Sequence, residues 1–340
     1  MRAVRFNAVG RLALEEVGRP EPGPGEVLVR VEAAGICGTD RHIFAGEFSA
    51  KPPVTLGHEF CGIVEALGDS VSGLSLGDRI TVDPNIACGR CAMCRAGRVN
   101  LCESLVAIGI HRDGGFADYA VVPQGQAFRL PENLDPLHGA FCEPLACCIH
   151  GVDMAAIKPG QSVVVLGGGV IGMLVVQLAK LAGADRVALS TRQAAKRRLA
   201  EELGATDTID PSAGNVIAAI SGASGLLPGG ADVVIECAGV PETVSQAPWL
   251  ARRGGTVVIL GVLAPDVRVE ISPFDVLLRE LKILGSFVNP FTQGRSAELI
   301  SSGAVTVETL ISRRVRLSEA AGIIAAPAPS GEIRAIVVPD

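Results

Sequence analysis

The sequence predicts an α/β fold in which a doubly wound parallel sheet is joined to a second, mainly β domain. Before about residue 150, short stretches of alternating apolar residues are broken by glycine and proline, as in EVLVRVEAAG (26–35). This period of two is typical of strands with one buried face. After that point, continuous apolar runs such as QSVVVLGGG (161–169) alternate with helical patterns. This alternation indicates parallel strands covered on both faces.

Each half contains further elements of its own type. In the second half, apolar residues recur at helical spacing from Ile171 to Leu181, and QAAKRRLAEELGA (193–205) predicts an amphipathic helix closed by glycine. From about residue 288 the pattern returns to mixed strand and helix. The other predicted strands lie at 58–68, 78–84 and 117–123 in the first half and at 185–191, 231–239, 255–261 and 281–287 in the second.

Composition excludes several classes of protein. With 48% apolar and 19% charged residues, the 340-residue chain is globular rather than disordered, and its length suggests two domains. The net charge of −6 and the lack of a long basic cluster argue against nucleic-acid binding. No run indicates a membrane span, and the start lacks the apolar core of a signal peptide. We therefore expect a cytoplasmic protein, where disulfides rarely persist.

Four cysteines form one closely spaced motif. Cys88, Cys91, Cys94 and Cys102 follow the pattern C-x2-C-x2-C-x7-C. Four thiolates give zinc a closed tetrahedral shell, which leaves no position for a substrate and predicts a structural site. Disulfides are one alternative, which the expected compartment opposes. An iron–sulfur cluster is another, but the gap before Cys102 is longer than in the usual cluster-binding run.

Three dispersed segments supply the candidate reaction centre: GICGTDRH (35–42), GHEFCG (57–62) and CEPLACC (142–148). Cys37, His58 and either Glu59 or Glu143 offer sulfur, nitrogen and oxygen ligands, the mixed set of an open catalytic zinc. Such a zinc polarises an alcohol or carbonyl oxygen as a Lewis acid. Taken singly, a cysteine is more often a small core residue, and a histidine beside a glutamate is often only a hydrogen-bonded pair.

Thr39 and His42 follow Cys37 by two and five residues. A hydroxyl near the metal would take the alcohol proton, and a histidine, which titrates near neutral pH, would deliver it to solvent. The alternative is that Thr39 caps a helix starting at Asp40. The other cysteines and three histidines follow no recognisable ligand spacing. We interpret them as core residues: Cys61, Cys142, Cys147, Cys148, Cys237, His111, His138 and His150.

A glycine motif follows the strongest strand. Gly167, Gly169 and Gly172 form G-x-G-x-x-G, with Val170 and Ile171 between the last two, at the start of a predicted helix. Such glycines allow a tight turn, the approach of a pyrophosphate and close packing of helix on strand. The helix N-terminus then offers N–H groups to the phosphates. The alternative, an ordinary glycine turn, would not need this strand and helix context.

The end of the next strand indicates which cofactor is used. An NAD site has an acidic residue there to hold the ribose hydroxyls, but this strand ends Ser190-Thr191-Arg192. Arg192 offers a guanidinium to a 2′-phosphate. Lys196 and Arg197, one turn later, add positive charge, although both also fit a solvated helix face. The sequence therefore favours NADP(H) over NAD(H).

Together these motifs resemble the zinc-dependent medium-chain alcohol dehydrogenase superfamily, with the sorbitol (polyol), threonine and 2,3-butanediol dehydrogenases as the nearest branch. The resemblance covers essentially the whole chain and rests on GICGTDRH, GHEFCG, the four cysteines, CEPLA, GGGVIG and RELKILGSF. It implies a GroES-like catalytic domain made of 1–149 and 288–340, with a structural zinc lobe at 85–105, and a Rossmann domain at 150–287. It also implies a homodimer or homotetramer.

The resemblance assigns roles to individual residues. It implies a catalytic zinc on Cys37, His58 and Glu59, with Glu143 as a ligand or as the holder of a zinc-bound water, and a second zinc on the four cysteines. It matches Thr39 and His42 to a proton relay. Arg279, in RELKILGSF, falls where relatives contact cofactor or substrate. Which of the two glutamates binds zinc at rest stays open.

The expected reaction is the reversible oxidation of a secondary alcohol or polyol, a small molecule, to a ketone with hydride transfer to NADP or NAD. Three alternatives remain: an L-threonine 3-dehydrogenase, a zinc-free enzyme similar to quinone reductases, and a non-enzymatic zinc protein that senses nucleotides. The paired presence of Thr39 and His42 argues against the last of these.

Overall fold

The computed structural model describes all 340 residues, and their contacts divide the chain into two units. The first unit contains Met1–Ala146 and Val288–Asp340, and the second contains Cys147–Phe287. The sequence predicts boundaries at 149/150 and 287/288; the contacts place the first one three residues earlier, after Ala146, and the second at the same position, after Phe287. None of the helices is both long and apolar enough to cross a membrane.

The chain has eighteen strands: β1 (Arg2–Ala8), β2 (Arg11–Glu16), β3 (Glu26–Gly35), β4 (Val54–Thr55), β5 (Glu59–Leu67), β6 (Arg79–Val82), β7 (Asn85–Ile86), β8 (Val106–Ala107), β9 (Tyr119–Pro123), β10 (Ala127–Arg129), β11 (Ser162–Leu166), β12 (Arg186–Ser190), β13 (Asp207–Ile209), β14 (Ala231–Glu236), β15 (Ala251–Ile259), β16 (Lys282–Gly285), β17 (Ile311–Arg316) and β18 (Arg334–Val338). It has eleven α-helices: α1 (Gly38–Ala45), α2 (Ala92–Arg95), α3 (Pro136–Gly139), α4 (Cys142–Ala155), α5 (Val170–Leu181), α6 (Ala194–Glu202), α7 (Val216–Ser221), α8 (Pro241–Leu250), α9 (Pro273–Leu278), α10 (Gln293–Ser301) and α11 (Leu317–Ala325). Short 3-10 helices lie at Val99–Leu101, Gln124–Gln126, Pro211–Ala213 and Glu308–Leu310.

The first unit is mainly β, as predicted. Its largest sheet has the order β10-β6-β5-β3-β18-β17, with β9 also paired to β3. A three-stranded sheet of β2, β1 and β4 and a small β7–β8 pair complete it. The predicted strand at 26–35 matches β3, which buries Val27, Val29 and Val31 in the core, where Phe60 of β5 also lies. Burial of these apolar side chains is the main force holding the sheet together.

The last strand of the chain completes this sheet. β18 pairs antiparallel with β3, so that Ile336 faces Gly35 and Val337 faces Ala34. Its other neighbour, β17, is parallel to it. The segment after residue 288 therefore belongs to the same sheet as the segments that carry the candidate reaction centre.

The second unit is the predicted doubly wound sheet. Its six strands are all parallel and have the order β13-β12-β11-β14-β15-β16. The order reverses beside β11, since β12 and β14 lie on its two sides, and ligands of such sheets bind at the carboxyl ends of the strands at this point. Val163, Val164, Val165 and Leu166 are fully buried, which explains why β11 is apolar without alternation.

Candidate active site

Cys37, His58 and Glu59 meet because β3 and β5 are paired. Glu59, the first residue of β5, lies opposite Gly35 at the end of β3, and Cys37 follows two residues later. The sulfur, nitrogen and oxygen atoms that these three residues offer to a metal all lie within 4.8 Å of one another. His58 and Glu59 are buried. We call these three residues the catalytic cluster.

A glycine makes room for the Glu59 carboxylate. A Cβ atom at Gly35 would collide with Glu59 Oε2. A larger residue at this position would force the Glu59 carboxylate to move from where it now lies. Gly35, the first glycine of GICGTDRH, is therefore favoured on steric grounds, because a side chain there would occupy the space of a candidate site residue.

Helix α1 fixes Cys37 through Asp40. Cys37 is the N-cap of α1, and its backbone N–H donates to Asp40 Oδ2 at 2.8 Å. Asp40 is fully buried, and its Oδ1 lies 3.6 Å from His58 Nδ1. Burial alone would lower the pKa of His58, but the negative charges of Cys37 and Asp40 raise it well above its ordinary value. The pocket thus stabilises positive charge, as a cation-binding site must.

A buried arginine contacts the cluster. Arg334, in β18, lies with Nη1 3.2 Å from Glu59 Oε2 and donates to the Ile36 carbonyl at 2.5 Å. Burial would lower the pKa of Arg334, but the charges of Glu59 and Cys37 raise it, with a smaller contribution from Glu143. Glu143 is buried in the first turn of α4. It lies outside the set of atoms that meet within 4.8 Å.

The cluster leaves polar atoms without hydrogen-bond partners. Asp40 Oδ1, His58 Nδ1 and Glu59 Oε2 are buried, and none of them takes part in a hydrogen bond of acceptable geometry. The contact of Glu59 with Arg334 is an ion pair only. Buried polar atoms normally find partners, because leaving them without one costs free energy. A cation among sulfur, nitrogen and oxygen donors would supply the missing interaction, and zinc accepts this donor set.

Thr39 and His42 lie on the same helix as the Cys37 cap. Cys37 Sγ and Thr39 Oγ1 are 3.6 Å apart. His42 is partly exposed, and its Nδ1 lies 2.5 Å from Glu47 Oε2. The alternative that Thr39 caps a helix starting at Asp40 is wrong, because α1 starts at Gly38 and Cys37 is the cap. The hydroxyl is therefore next to the cluster, and the imidazole is one turn closer to solvent.

The four-cysteine lobe, residues 85–105, brings its sulfurs together. Those of Cys88, Cys91, Cys94 and Cys102 lie within 4.8 Å of one another, and no cysteine of the chain is in a disulfide. Backbone N–H groups point at the sulfurs, as from Cys88 to Cys102 at 3.2 Å and from Cys91 to Cys88 at 3.4 Å. The backbone N–H of Cys94 contributes most to lowering the pKa of Cys91 to about 6. Burial and the neighbouring cysteines raise the pKa of Cys94 to about 12, so the backbone favours the thiolate at Cys91 but not at every cysteine of the lobe. The thiolate is the form in which cysteine binds zinc.

The glycine motif lies at the carboxyl end of β11. Gly167 has a φ of +115°, and a Cβ at Gly172 would collide with the Gly167 carbonyl, so both positions require glycine. Gly169 precedes α5, whose first residues are Val170 and Ile171, and a Cβ there would meet no atom within 4 Å. The turn therefore has open space in front of a helix N-terminus, which fits a pyrophosphate.

The end of β12 lies beside this turn. A Cβ at Gly168 would lie 2.7 Å from Thr191 Oγ1, and Ser190 is buried next to it. Arg192 is exposed. Arg197 donates to the carbonyls of Thr191 at 2.8 Å and Arg192 at 2.9 Å, while Lys196 lies half-buried on the same helix. The structure thus brings Ser190 and Thr191 to the glycine motif, and Arg192 is the next residue of the chain.

Arg279 lies elsewhere. It donates to the carbonyls of Pro248 and Ala251 and packs over the Trp249 ring at 5.9 Å. Ala251 begins β15, so this guanidinium is at the amino edge of the parallel sheet, whereas the glycine motif is at the carboxyl edge. The predicted cofactor or substrate contact of Arg279 is not supported by this position, since its donors are directed to the end of α8.

Comparison with known proteins identifies the family of this chain. Residues 23–132 match the model of the alcohol dehydrogenase GroES-like domain, and residues 170–302 match that of the zinc-binding dehydrogenases. D-arabinitol dehydrogenase 1 of Uromyces fabae is 35% identical over 86% of this chain and 84% of that protein. L-idonate 5-dehydrogenase of Vitis vinifera is 34% identical over 88% of this chain and 83% of that protein. The chain belongs to the zinc-dependent medium-chain alcohol dehydrogenase superfamily.

A solved structure extends the similarity to the whole dehydrogenase. A zinc-binding dehydrogenase from Sinorhizobium meliloti 1021, bound to NADP, is 63% identical and superposes with a TM-score of 0.98 over 99% of both chains. The dehydrogenase is thus an oxidoreductase with a GroES-like domain and a Rossmann domain, and its curated relatives place it in the polyol branch.

Sequence reasoning missed three charged residues that the structure brings to the sites of the dehydrogenase. Asp40 has a local signal, since an acid three residues after a helix cap is typical of a capping box. Arg334 has none, because it reaches Glu59 only through the pairing of β18 with β3. Asp210 reaches the end of β12 only through the pairing of β12 with β13.

Proposed function

We propose that this dehydrogenase oxidises a secondary alcohol of a polyol to a ketone, reversibly, with NADP(H) as its preferred cofactor. The observation that carries the proposal is the catalytic cluster, in which sulfur, nitrogen and oxygen donors converge and buried polar atoms lack partners. The names of the relatives, which include arabinitol and idonate dehydrogenases, support a polyol substrate.

Cys37 and His58 would hold the catalytic zinc together with Glu59 or Glu143. When bound, zinc acts as a Lewis acid that polarises the substrate oxygen. Arg334 forms an ion pair with Glu59 and so restrains its carboxylate. This restraint supports Glu59 as the oxygen ligand. Asp40 orients the other two ligands, since it accepts the N–H of Cys37 and faces His58.

Thr39 and His42 would carry the proton that the substrate hydroxyl loses. The Thr39 hydroxyl, beside Cys37, accepts it first. His42, one helical turn further and partly exposed, exchanges it with water. Glu47 holds the imidazole through Nδ1, which leaves Nε2 for the exchange.

The glycine motif and the end of β12 would hold the cofactor. NADP supplies the acceptor for the carbinol hydride at the nicotinamide ring. Gly167, Gly169 and Gly172 support the pyrophosphate, and Arg192 is the candidate partner of the 2′-phosphate. The NADP bound to the Sinorhizobium relative supports this preference.

The four-cysteine lobe would hold a second, structural zinc, so that each chain contains two. The proposed use of five cysteines as zinc thiolates also supports a reducing compartment such as the cytoplasm.

We further propose a homo-oligomer. Helix α9 exposes Phe274, Leu277 and Leu278, each more than half accessible, and β16 is an unpaired edge of the parallel sheet. Exposed apolar groups beside an open strand edge favour association with a second copy. Molar mass in solution tests this proposal, and a monomer at micromolar concentration would contradict it.

The deciding experiment is a panel of alcohols and polyols, with L-threonine included, run with NADP+ and NAD+ while reduced nicotinamide is followed. Turnover of polyols with higher kcat/KM for NADP+ supports the proposal. Turnover of L-threonine alone would assign the threonine branch, and inactivity of the fully zinc-loaded chain on the whole panel would refute the proposed substrate class.

A further inference from the structure

An ion pair lies beside the end of β12, next to the glycine motif. Arg197 Nη2 is 3.1 Å from Asp210 Oδ2, and both side chains are less than one third exposed. The same guanidinium donates through Nη1 to the carbonyls of Thr191 and Arg192. Arg197 therefore brings the predicted positive charge to this edge of the sheet, but its donors are directed to its own chain.

Asp210 comes from the neighbouring strand. Ile209, the last residue of β13, pairs with Ser190, the last residue of β12, so that Asp210 emerges at the same edge of the sheet. Its Oδ1 accepts the N–H of Ser212 at 2.9 Å. This backbone hydrogen bond, together with Arg197, holds the pKa of Asp210 below its ordinary value. An ionised carboxylate is thus present at an edge where β12 itself supplies none.

This carboxylate matters for the choice of cofactor. An acid near the end of the second strand accepts hydrogen bonds from the ribose hydroxyls of NAD, and its charge repels the 2′-phosphate of NADP. If Asp210 were unpaired, it would therefore act against NADP. Arg197 covers that charge and lies close enough to Asp210 for a direct ion pair.

Arg197 also shapes the loop that carries Arg192. Two carbonyls held by one guanidinium fix the backbone between β12 and α6. Arg192 itself is exposed and makes no ion pair or hydrogen bond through its own side chain. Its guanidinium is available to bind a phosphate, while Arg197 restrains its backbone carbonyl.

We infer that Arg197 is a positioning residue that sets NADP specificity: it neutralises Asp210 and fixes the loop that presents Arg192. The inference rests on the proposed use of NADP(H). Specificity for NADP then depends on the neutralised carboxylate of Asp210, which follows β13, as well as on Arg192, which binds the phosphate.

The test measures the Kd of NADPH and of NADH by nucleotide fluorescence, with the zinc-loaded full-length chain and no substrate. The variants are Arg197→Ala, Asp210→Asn and the double variant. Arg198→Ala, the matched control, removes the same charge from an exposed position one residue further on α6. Thermal melting of each apo variant reports stability separately from binding.

We expect Arg197→Ala to weaken NADPH binding on the order of tenfold more than NADH binding, because one uncompensated charge near a phosphate has an effect of this size. Asp210→Asn in the Arg197→Ala background should restore most of the selectivity, and Arg198→Ala should leave it unchanged. Equal weakening of both cofactors, or no rescue by Asp210→Asn, would overturn the inference.

Two further variants complete the test. Arg197→Lys keeps the charge but loses the fork, so that selectivity should persist while affinity for both cofactors falls; loss of selectivity in a folded Arg197→Lys protein would argue against charge neutralisation. Should Arg197→Ala not fold, Arg197→Lys and Asp210→Asn decide the question. Arg192→Ala tests the proposed phosphate contact itself, and its failure to change the NADPH to NADH ratio would refute that contact without removing the coupling between Arg197 and Asp210.

Discussion

The two candidate zinc sites of the first unit differ in how the chain builds them. The four-cysteine lobe takes all its ligands from one short segment, and its sulfurs receive hydrogen bonds from the backbone of that same segment. The catalytic cluster takes its ligands from the ends of two paired strands and is surrounded by charged residues that come from elsewhere. One site is local and partly exposed, and the other is long-range and buried.

This difference predicts different tasks for the two sites. In a local site, the metal replaces a hydrophobic core that the short segment cannot build, so its loss should affect folding. In the buried site, the sheet already holds the ligands in place, so the metal is available for chemistry. Removing a ligand from each site should therefore give opposite results.

The largest effect is expected for Cys37→Ser. Loss of the only thiolate of the cluster should reduce turnover by roughly a thousandfold or more, as for loss of a main electrostatic group in an active site. NADPH binding, measured by fluorescence, should stay close to wild type because the glycine motif belongs to the other unit. Cys61→Ala, which removes a buried thiol from the same strand as Glu59, is the matched control, and turnover by Cys37→Ser at the wild-type rate would show that the zinc mechanism is wrong.

Cys94→Ser should give the opposite pattern. One thiolate fewer opens the structural shell, and we expect a loss of roughly 3–5 kcal/mol in the free energy of unfolding, because loss of a metal is among the few changes with large effects on stability. Limited proteolysis should cut within the lobe, and metal analysis should find one zinc fewer per chain. Turnover per folded molecule should remain close to wild type; a variant that is stable but inactive would reverse the assignment of the two sites.

Arg334→Met tests whether the ion pair between Arg334 and Glu59 stabilises the folded protein. Without its guanidinium, Glu59 becomes an uncompensated buried carboxylate, which costs about 3–5 kcal/mol. We expect this loss in chemical denaturation of the apo protein and a smaller loss after zinc is added. Arg314→Met, at an exposed position of β17, serves as the control, and equal stability of the two variants would exclude the ion pair as a structural element.

The smallest effect concerns Asp83, in the segment that leads from β6 to the lobe. Burial raises the pKa of Asp83, although Asn85 and Asn289 donate hydrogen bonds to it. Because the folded state binds this proton more tightly than the unfolded state, stability falls as pH rises from the ordinary aspartate range through the raised pKa. Asp83→Asn keeps the accepting oxygen and should remove this dependence, changing stability by about 1 kcal/mol or less. Denaturation at several pH values between 4 and 8 measures it, and an unchanged slope in Asp83→Asn would contradict the assignment.

The same contrast explains what the sequence alone could predict. The lobe, the glycine motif and the main strands are recognisable because each is defined within a few consecutive residues, and the structure places β3, β11 and α6 where the patterns predict them. Cys37, His58 and Glu59 were predicted from separate segments, and strand pairing brings them together.

The residues that escaped prediction depend on topology. Arg334 and Asp210 reach their partners across neighbouring strands, so no local pattern marks them. The alternative start of α1 at Asp40 is two residues late: Thr39 is a better cap by type than Cys37, yet Asp40 completes a capping box with the cysteine. Arg279 was assigned from a motif, but its side chain ends at the opposite edge of the sheet from the glycines.

The pairing of β18 with β3 has a consequence for biosynthesis. Helix α1 is tied to the last helix as well, since Arg41 donates to the carbonyls of Ile323 and Ile324 at the end of α11. A ribosome-bound chain that has not yet released residues 317–340 therefore has Cys37, His58 and Glu59 but neither the guanidinium that balances Glu59 nor the helix end that anchors α1. The catalytic cluster gains these two supports only when residues 317–340 emerge, although Cys37, His58 and Glu59 themselves lie far earlier in the chain.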